Sequence, residues 1–139
     1  MFKAVHHIGI AAADMEAALR RYTEGAGARL VEREPSKDGT MEIAMLWLGN
    51  AFLEILSPRQ GESAIRKFIE KRGEGLHHIA YEVADIEGEL KRLKAAGYEL
   101  LDEKPRPGAM RSTIAFLKPK STGGVLWELV VPPADEKKG

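Results

Sequence analysis

Hydrophobic and polar positions alternate along several short stretches of this chain, and stripes of helical period lie between them. Residues 6–12 put His7, Gly9 and Ala11 on one strand face and His6, Ile8 and Ile10 on the other. The small neighbours leave room beside His7. Asp14 is placed to cap a helix whose apolar stripe is Met15, Ala18, Leu19 and Tyr22, with Gly25-Ala26-Gly27 as its stop. Residues 28–33 read as a strand and 34–39 as a turn-rich loop. Two further strands, 41–48 and 51–56, flank Gly49-Asn50, a hairpin signal in reversed order.

A connecting segment follows at residues 57–75, where Ser63 caps a short helix bearing Ile65, Phe68 and Ile69 and Gly73 ends it. The first plan then recurs. Residues 76–83 form a strand, Asp85 caps a helix with Ile86, Leu90 and Leu93 inward, Ala96-Gly97 stops it, and residues 98–102 form the next strand. A rigid basic loop at 103–108 leads to strands at 112–117 and 125–131 around a Gly-rich turn, and residues 134–139 read as a solvated tail.

The recurrence is legible in the letters. Val5-His6-His7-Ile8-Gly9-Ile10 is answered by Gly75-Leu76-His77-His78-Ile79-Ala80-Tyr81, and the shift of 78 − 7 = 71 also relates Asp14 to Asp85 and Leu19 to Leu90. Near the end of each half, Phe52-Leu53-Glu54-Ile55-Leu56-Ser57-Pro58 matches Leu126-Trp127-Glu128-Leu129-Val130-Val131-Pro132, shifted by 128 − 54 = 74. A repeat of this kind predicts a repeated structural unit. The expected fold is α+β: two pseudo-symmetric βαβββ modules forming one open, barrel-like mixed sheet around a metal site. It makes residues 1–139 one domain, with module one at about 4–58, a linker helix at about 59–75, module two at about 76–132 and a tail at 133–139.

Composition narrows the function. With 21 basic and 21 acidic residues, no whole-molecule field selects nucleic acid or an anionic membrane. The absence of cysteine removes disulfides, thiolate ligands and Cys nucleophiles. Apolar runs are too short to span a bilayer, and no signal core follows the N-terminus, so a soluble cytoplasmic protein is expected.

Two carboxylates then stand out. Glu54 and Glu128 each sit among apolar strand residues, where a charge needs a cation, a donor or water. Each opening strand also carries a histidine, and pseudo-twofold packing lets His7, Glu54, His78 and Glu128 converge. Such a set suits one divalent ion, Co, Mn, Ni, Fe or Zn, with open positions toward a cavity. Taken singly, a strand histidine is more often hydrogen-bonded structure and a strand glutamate more often faces water, but both features occur twice at matching places. His6 and His77 fall on the other face and read as structural. Glu42 shares a face with Ala44 and Leu46 and can reach the cavity or stand as an exposed strand-end carboxylate; Glu74 and Glu82 are candidates on charge alone.

These residues resemble the vicinal oxygen chelate superfamily, which includes glyoxalase I and extradiol dioxygenases. Within it, His6-His7-Ile8-Gly9-Ile10-Ala11, Lys71-Arg72-Gly73-Glu74-Gly75-Leu76-His77-His78-Ile79-Ala80-Tyr81-Glu82-Val83, Pro105-Arg106-Pro107-Gly108-Ala109 and Pro119-Lys120-Ser121-Thr122-Gly123-Gly124-Val125-Leu126 resemble the methylmalonyl-CoA epimerases. The resemblance implies metal ligands at His7, Glu54, His78 and Glu128, with cobalt favoured, and catalytic roles for Glu42 and Glu128. It further implies an isomerase that removes the C2 proton of (2R)- or (2S)-methylmalonyl-CoA, passes through a metal-stabilised enolate and returns the proton to the opposite face. An acyl-CoA partner and a homodimer follow from the same likeness.

Arg106, Lys118, Lys120 and Ser121-Thr122-Gly123-Gly124 are the nearest basic and Gly-rich loops for the CoA phosphates, and equally read as ordinary charged turns. The chain departs from the pattern at Ala109-Met110-Arg111, where many members read Ala-His-Gly, and at Leu117-Lys118-Pro119, where many read Leu-His-Pro. Two other readings stand beside this one: a glyoxalase I-type isomerase acting on a glutathione hemithioacetal, and a metal-free binding protein of the same fold.

Overall fold

Three side chains start the three helices as expected. Asp14 accepts a hydrogen bond from Ala17 N at 3.2 Å to open α1 (Met15–Arg20). Ser63 accepts from Arg66 N at 3.1 Å to open α2 (Ala64–Arg72), and Asp85 from Gly88 N at 3.0 Å to open α3 (Ile86–Ala95). Each cap satisfies an N–H that the helix itself leaves without a partner, a contribution of ~1 kcal/mol.

The computed structural model describes residues 1–139 and divides them into two compact units. One comprises Ile8–His77 with Lys137–Gly139, the other Met1–His7 with His78–Glu136. The dividing points fall inside β1 (Ala4–Ala11) and β5 (Gly75–Glu82), so each of these strands passes from one unit into the other.

In the first unit, β2 (Arg29–Pro35), β3 (Met41–Trp47) and β4 (Phe52–Pro58) form an antiparallel meander. A bulge between Leu30 and Glu32 shifts the register of β2. The N–H of Ala12, just past β1, donates to Leu56 O at 2.9 Å. Met15, Ala18 and Leu19 of α1 pack on Ala44, Leu46, Leu53 and Ile55, which all point to one face of the meander. Past Arg20 the helix widens into a π turn over Arg21–Gly25, where the Thr23 hydroxyl donates to Leu19 O at 2.8 Å. The Arg66 guanidinium closes the loop before α2 by donating to Gly61 O at 2.9 Å and Arg59 O at 2.6 Å.

In the second unit, β5 pairs in parallel with β8 (Trp127–Val131), β8 pairs antiparallel with β7 (Thr113–Leu117), and β7 with the two-residue β6 (Arg106–Pro107). Ile86, Leu90 and Leu93 of α3 bury against Val83, Leu100, Ala115, Leu117 and Leu129. The hydrogen-bonded strand order over the whole chain is β2-β3-β4-β1-β5-β8-β7-β6, a mixed sheet of eight strands, as the α+β reading requires.

Two expectations need correction. Residues 98–102 do not form a strand; they make one bridge, Leu100 to Leu117. The N–H groups of Leu101 and Asp102 both donate to Phe116 O, at 2.9 and 3.2 Å, and the Asp102 carboxylate accepts from Phe116 N at 2.8 Å. A side chain thus takes the place of the next ladder bond, and pairing stops. The final residues are not simply solvated either: Arg111 donates to the Asp135 carboxylate at 3.0 Å, and Glu136 lies 2.6 Å from His6.

Candidate metal centre

Parallel pairing of Ala80 with Glu128 sets the side chains of His78, Ala80 and Glu128 on one face of the β5–β8 pair, since residues two apart on a strand share a face. The fully buried Ala80 methyl takes little space there. Into that space β1 brings His7. His7 and His78 are each 3% exposed and Glu128 is 4% exposed.

The polar atoms meet closely. His7 Nε2 and His78 Nε2 are 3.0 Å apart; Glu128 Oε2 lies 3.4 Å from His7 Nε2, and Oε1 lies 3.4 Å from His78 Nε2. Ligands bound at roughly 2.1 Å to one ion stand about 3.0 Å apart at a right angle and about 3.4 Å apart at a tetrahedral angle. The two imidazole nitrogens are spaced as ligands of one divalent ion, and each has a different oxygen of the Glu128 carboxylate at ligand-to-ligand distance. Burial lowers the His7 pKa well below its ordinary value, and the neighbouring His78 and His6 lower it further, so His7 is a neutral imidazole, the form that ligates.

Behind the pair stands a second line of contacts. His6 Nδ1 is 2.8 Å from His7 Nδ1, and His6 Nε2 is 2.6 Å from Glu136 Oε1. On the other side the Phe116 ring stands edge-on to the His78 ring at 5.7 Å, and the Arg106 guanidinium lies over Phe116 at 5.5 Å from its centroid. Arg106 also donates to the Asp102 carboxylate at 3.1 Å.

In the other unit Glu54 is buried on β4, registered with Met45. Burial, with a smaller contribution from the charge of Glu34, raises its pKa to about 7. Glu34 is registered with Ile43, and Ile43 with Leu56, which places Glu34 and Glu54 on the same face of the meander. Glu42, registered with Ser57, points to the other face. Its carboxylate accepts from Arg33 at 2.8 Å, and Arg33 also pairs with Glu16 at 2.9 Å. A cleft of about 750 Å³ at these strand ends is lined by Arg33, Glu34, Glu42, Ser57 and Arg59 among others.

The turn expected to meet phosphate is occupied with itself. Ser121 Oγ accepts from Glu99 N at 3.0 Å and donates to Lys118 O at 3.1 Å. Thr122 Oγ1 donates to Pro119 O at 3.3 Å and to Val125 O. Gly123 and Gly124, at φ of 72° and 93°, supply the left-handed backbone that reverses the chain. Lys118 and Lys120 flank this turn, and Arg106 is the basic candidate whose contacts lead to His78.

Sequence reading missed His6, Glu136, Arg33 and Glu34. A second histidine directly before a ligand candidate was the available signal for His6; Glu136 had none, because its neighbours are charged and flexible in composition. His77 is the contrast: it packs edge-on to Phe68 at 4.7 Å, and burial, then Arg72, lowers its pKa.

Residues 6–116 match the Glyoxalase/Bleomycin resistance protein/Dioxygenase superfamily. The chain is 37% identical over 131 residues to the ethylmalonyl-CoA/methylmalonyl-CoA epimerase of Cereibacter sphaeroides, covering 93% of this chain and 98% of that protein. Among solved structures it is similar to a methylmalonyl-CoA epimerase in complex with methylmalonyl-CoA and NH4+, with a TM-score of 0.90, 35% identity and 99% of each chain covered. A Streptomyces coelicolor methylmalonyl-CoA epimerase variant in complex with 2-nitronate-propionyl-CoA gives the same TM-score of 0.90 and 35% identity, again over 99% of each chain.

Proposed function

The chain belongs to the Glyoxalase/Bleomycin resistance protein/Dioxygenase superfamily, and from that premise we propose that it is a metal-dependent epimerase interconverting (2R)- and (2S)-methylmalonyl-CoA. The observation that carries the reading is the triangle of His7 Nε2, His78 Nε2 and the Glu128 carboxylate, with sides of 3.0 and 3.4 Å, in a chain 37% identical to an epimerase of acyl-CoA substrates. Residues 1–139 act as one functional domain.

His7, His78 and Glu128 would hold the ion, and family resemblance supplies Glu54 as a fourth ligand; all four side chains are buried. Cobalt is the favoured ion by family resemblance. When bound, a divalent ion supplies charge that offsets the negative charge developing on the substrate as its C2 proton leaves. The side chains around it do the rest. Burial keeps the His7 imidazole neutral and excludes water, which strengthens every charge interaction inside.

Epimerisation needs a proton acceptor on one face of C2 and a donor on the other, each positioned before its pKa matters. Glu128 serves one face. The other is served by a carboxylate from the open end of the β2–β4 meander: Glu42 by family resemblance, Glu34 by the face it shares with Glu54. Arg106 meets an anionic part of the CoA, its guanidinium placed over the Phe116 ring. A homodimer in the cytoplasm completes the proposal, and light scattering tests the dimer. No helix is long and apolar enough to cross a membrane.

The deciding experiment loads the protein with Co and incubates one epimer of methylmalonyl-CoA in heavy water, following deuterium at C2 and the configuration there. Metal-dependent exchange with loss of configuration is the expected result. Exchange without metal would remove the centre from the mechanism, and no exchange by metal-loaded protein would remove this substrate, leaving ethylmalonyl-CoA and the hemithioacetal of glutathione to be tried.

A further inference from the structure

We propose that His6 and Glu136 are positioning residues: a hydrogen-bonded relay from Glu136 through His6 to His7 fixes the tautomer of His7 and aims its Nε2 at the metal centre. The inference rests on the metal-binding reading of His7, and it gives a task to a histidine and a carboxylate that neither the sequence nor the expected mechanism uses.

The contact between His6 Nδ1 and His7 Nδ1, at 2.8 Å, has room for one proton. Suppose that proton belongs to His7. Its Nδ1–H then donates to His6 Nδ1, the proton of a neutral His6 sits on Nε2, and that Nε2–H donates to Glu136 Oε1 at 2.6 Å. Every atom in the line is matched with a partner of opposite role. His7 Nε2 is left with its lone pair, facing His78 Nε2 at 3.0 Å and Glu128 Oε2 at 3.4 Å.

Suppose instead that the proton belongs to a neutral His6. Its Nε2 lone pair would then face a carboxylate oxygen at 2.6 Å, acceptor against acceptor, and His7 would carry its proton on Nε2, in the middle of the centre. For a neutral His6, Glu136 disfavours that arrangement; an imidazolium His6 donating from both nitrogens would leave His7 protonated on Nε2, and finding it by NMR in the unaltered protein would also overturn the relay. A carboxylate that selects the ligating tautomer of a histidine also raises its basicity toward a metal, and loss of such a partner typically weakens metal affinity by about 10–100-fold.

Burial makes the relay firm. The His6 side chain is 6% exposed and that of Glu136 is 16% exposed, although Glu136 belongs to a segment whose composition is that of a solvated tail. Arg111 pairs with the adjacent Asp135 at 3.0 Å and helps to hold that segment down.

The test measures Zn and Co affinity by competition with a chelator, together with the tautomers of His6 and His7 by nitrogen-detected NMR of the metal-free protein. Glu136→Ala is expected to weaken both metals by about 10–100-fold and to move proton population from Nδ1 to Nε2 of His7. Glu136→Gln, whose amide oxygen still accepts, is expected to recover most of the affinity, and Lys137→Ala to change nothing. Glu136 is more exposed than His6, so its variants are expected to keep the fold even where His6→Asn does not.

Wild-type affinity and an unmoved His7 tautomer in Glu136→Ala would overturn the relay. If the unaltered protein binds neither metal, the metal-centre reading fails and the ligand role of the relay with it; a tautomer shift in Glu136→Ala would then show His7 orientation alone. The two failures are therefore distinguishable.

Discussion

Glu42 and Glu54 stand on opposite faces of the β3–β4 hairpin, Glu42 registered with Ser57 and Glu54 with Met45. A base that works on a substrate beside Glu54 is therefore better sought on the Glu54 face, where the register brings Glu34. Glu34→Gln is expected to lower turnover by at least ~100-fold with metal content intact, within the usual range for a proton-transfer residue, and Glu42→Gln by less than ~10-fold. Turnover and bound metal measured on both variants decide it. The reverse order would return the role to Glu42, which lines the same cleft as Glu34.

The buried Glu54 carboxyl offers a pH test. Its pKa is raised from 4.5 to about 7. In that window the folded, metal-free protein holds a proton that the unfolded chain has released, so this group's contribution to stability is full below 4.5 and is lost as pH rises through about 7. A ligand must shed that proton. On account of Glu54, metal uptake at about pH 6 should release roughly one proton more than at about pH 8. Calorimetry in buffers of different ionisation enthalpy reads the number; equal release at both values would take Glu54 out of the ligand set.

Arg111 has a φ of 62° and follows Met110 at 54°, two left-handed residues in succession with side chains that resist that backbone. Arg111 falls where many of the resembling sequences carry glycine. Arg111→Gly is expected to stabilise the fold by ~1 kcal/mol, a rise of roughly 3–5 °C in melting temperature. The exposed ion pair with Asp135 that it removes is worth less than that. A lowered melting temperature would mean that Asp135 docking outweighs the backbone strain.

Arg106 is expected to act on binding rather than on chemistry. Arg106→Met keeps packing area over Phe116 but removes the charge, and should raise KM for the acyl-CoA about 10-fold while leaving kcat and metal affinity nearly unchanged. An unchanged KM would assign Arg106 to Asp102 and Phe116 alone.

Local chemistry made much of this legible in the letters. Asp14, Ser63 and Asp85 cap helices through contacts within three residues, so each is readable where it stands. The triangle of His7, His78 and Glu128 was readable because the repeat marks equivalent positions. What escaped depends on partners distant in sequence. Asp102 ends a strand early by bonding Phe116 N, 14 residues away, and Glu136 finds His6 across 130 residues. Strand alternation sorted His6 and His7 onto different faces, yet adjacent imidazoles can still touch around the strand through their Nδ1 atoms. His77, treated alike by the same rule, does pack as structure against Phe68.

The unit that contains the centre is assembled from the first seven residues and from residues 78–136. During synthesis His7 emerges 71 residues ahead of His78, and Glu128 follows later still. The opening strand must therefore wait, in the company of the growing chain, until its partners have left the ribosome. A nascent chain stopped before β8 has one imidazole pair and no Glu128 to join it. On the proposed reading the ligand set is thus completed late, because Glu128 joins His7, His78 and Glu54 only once β8 has been made.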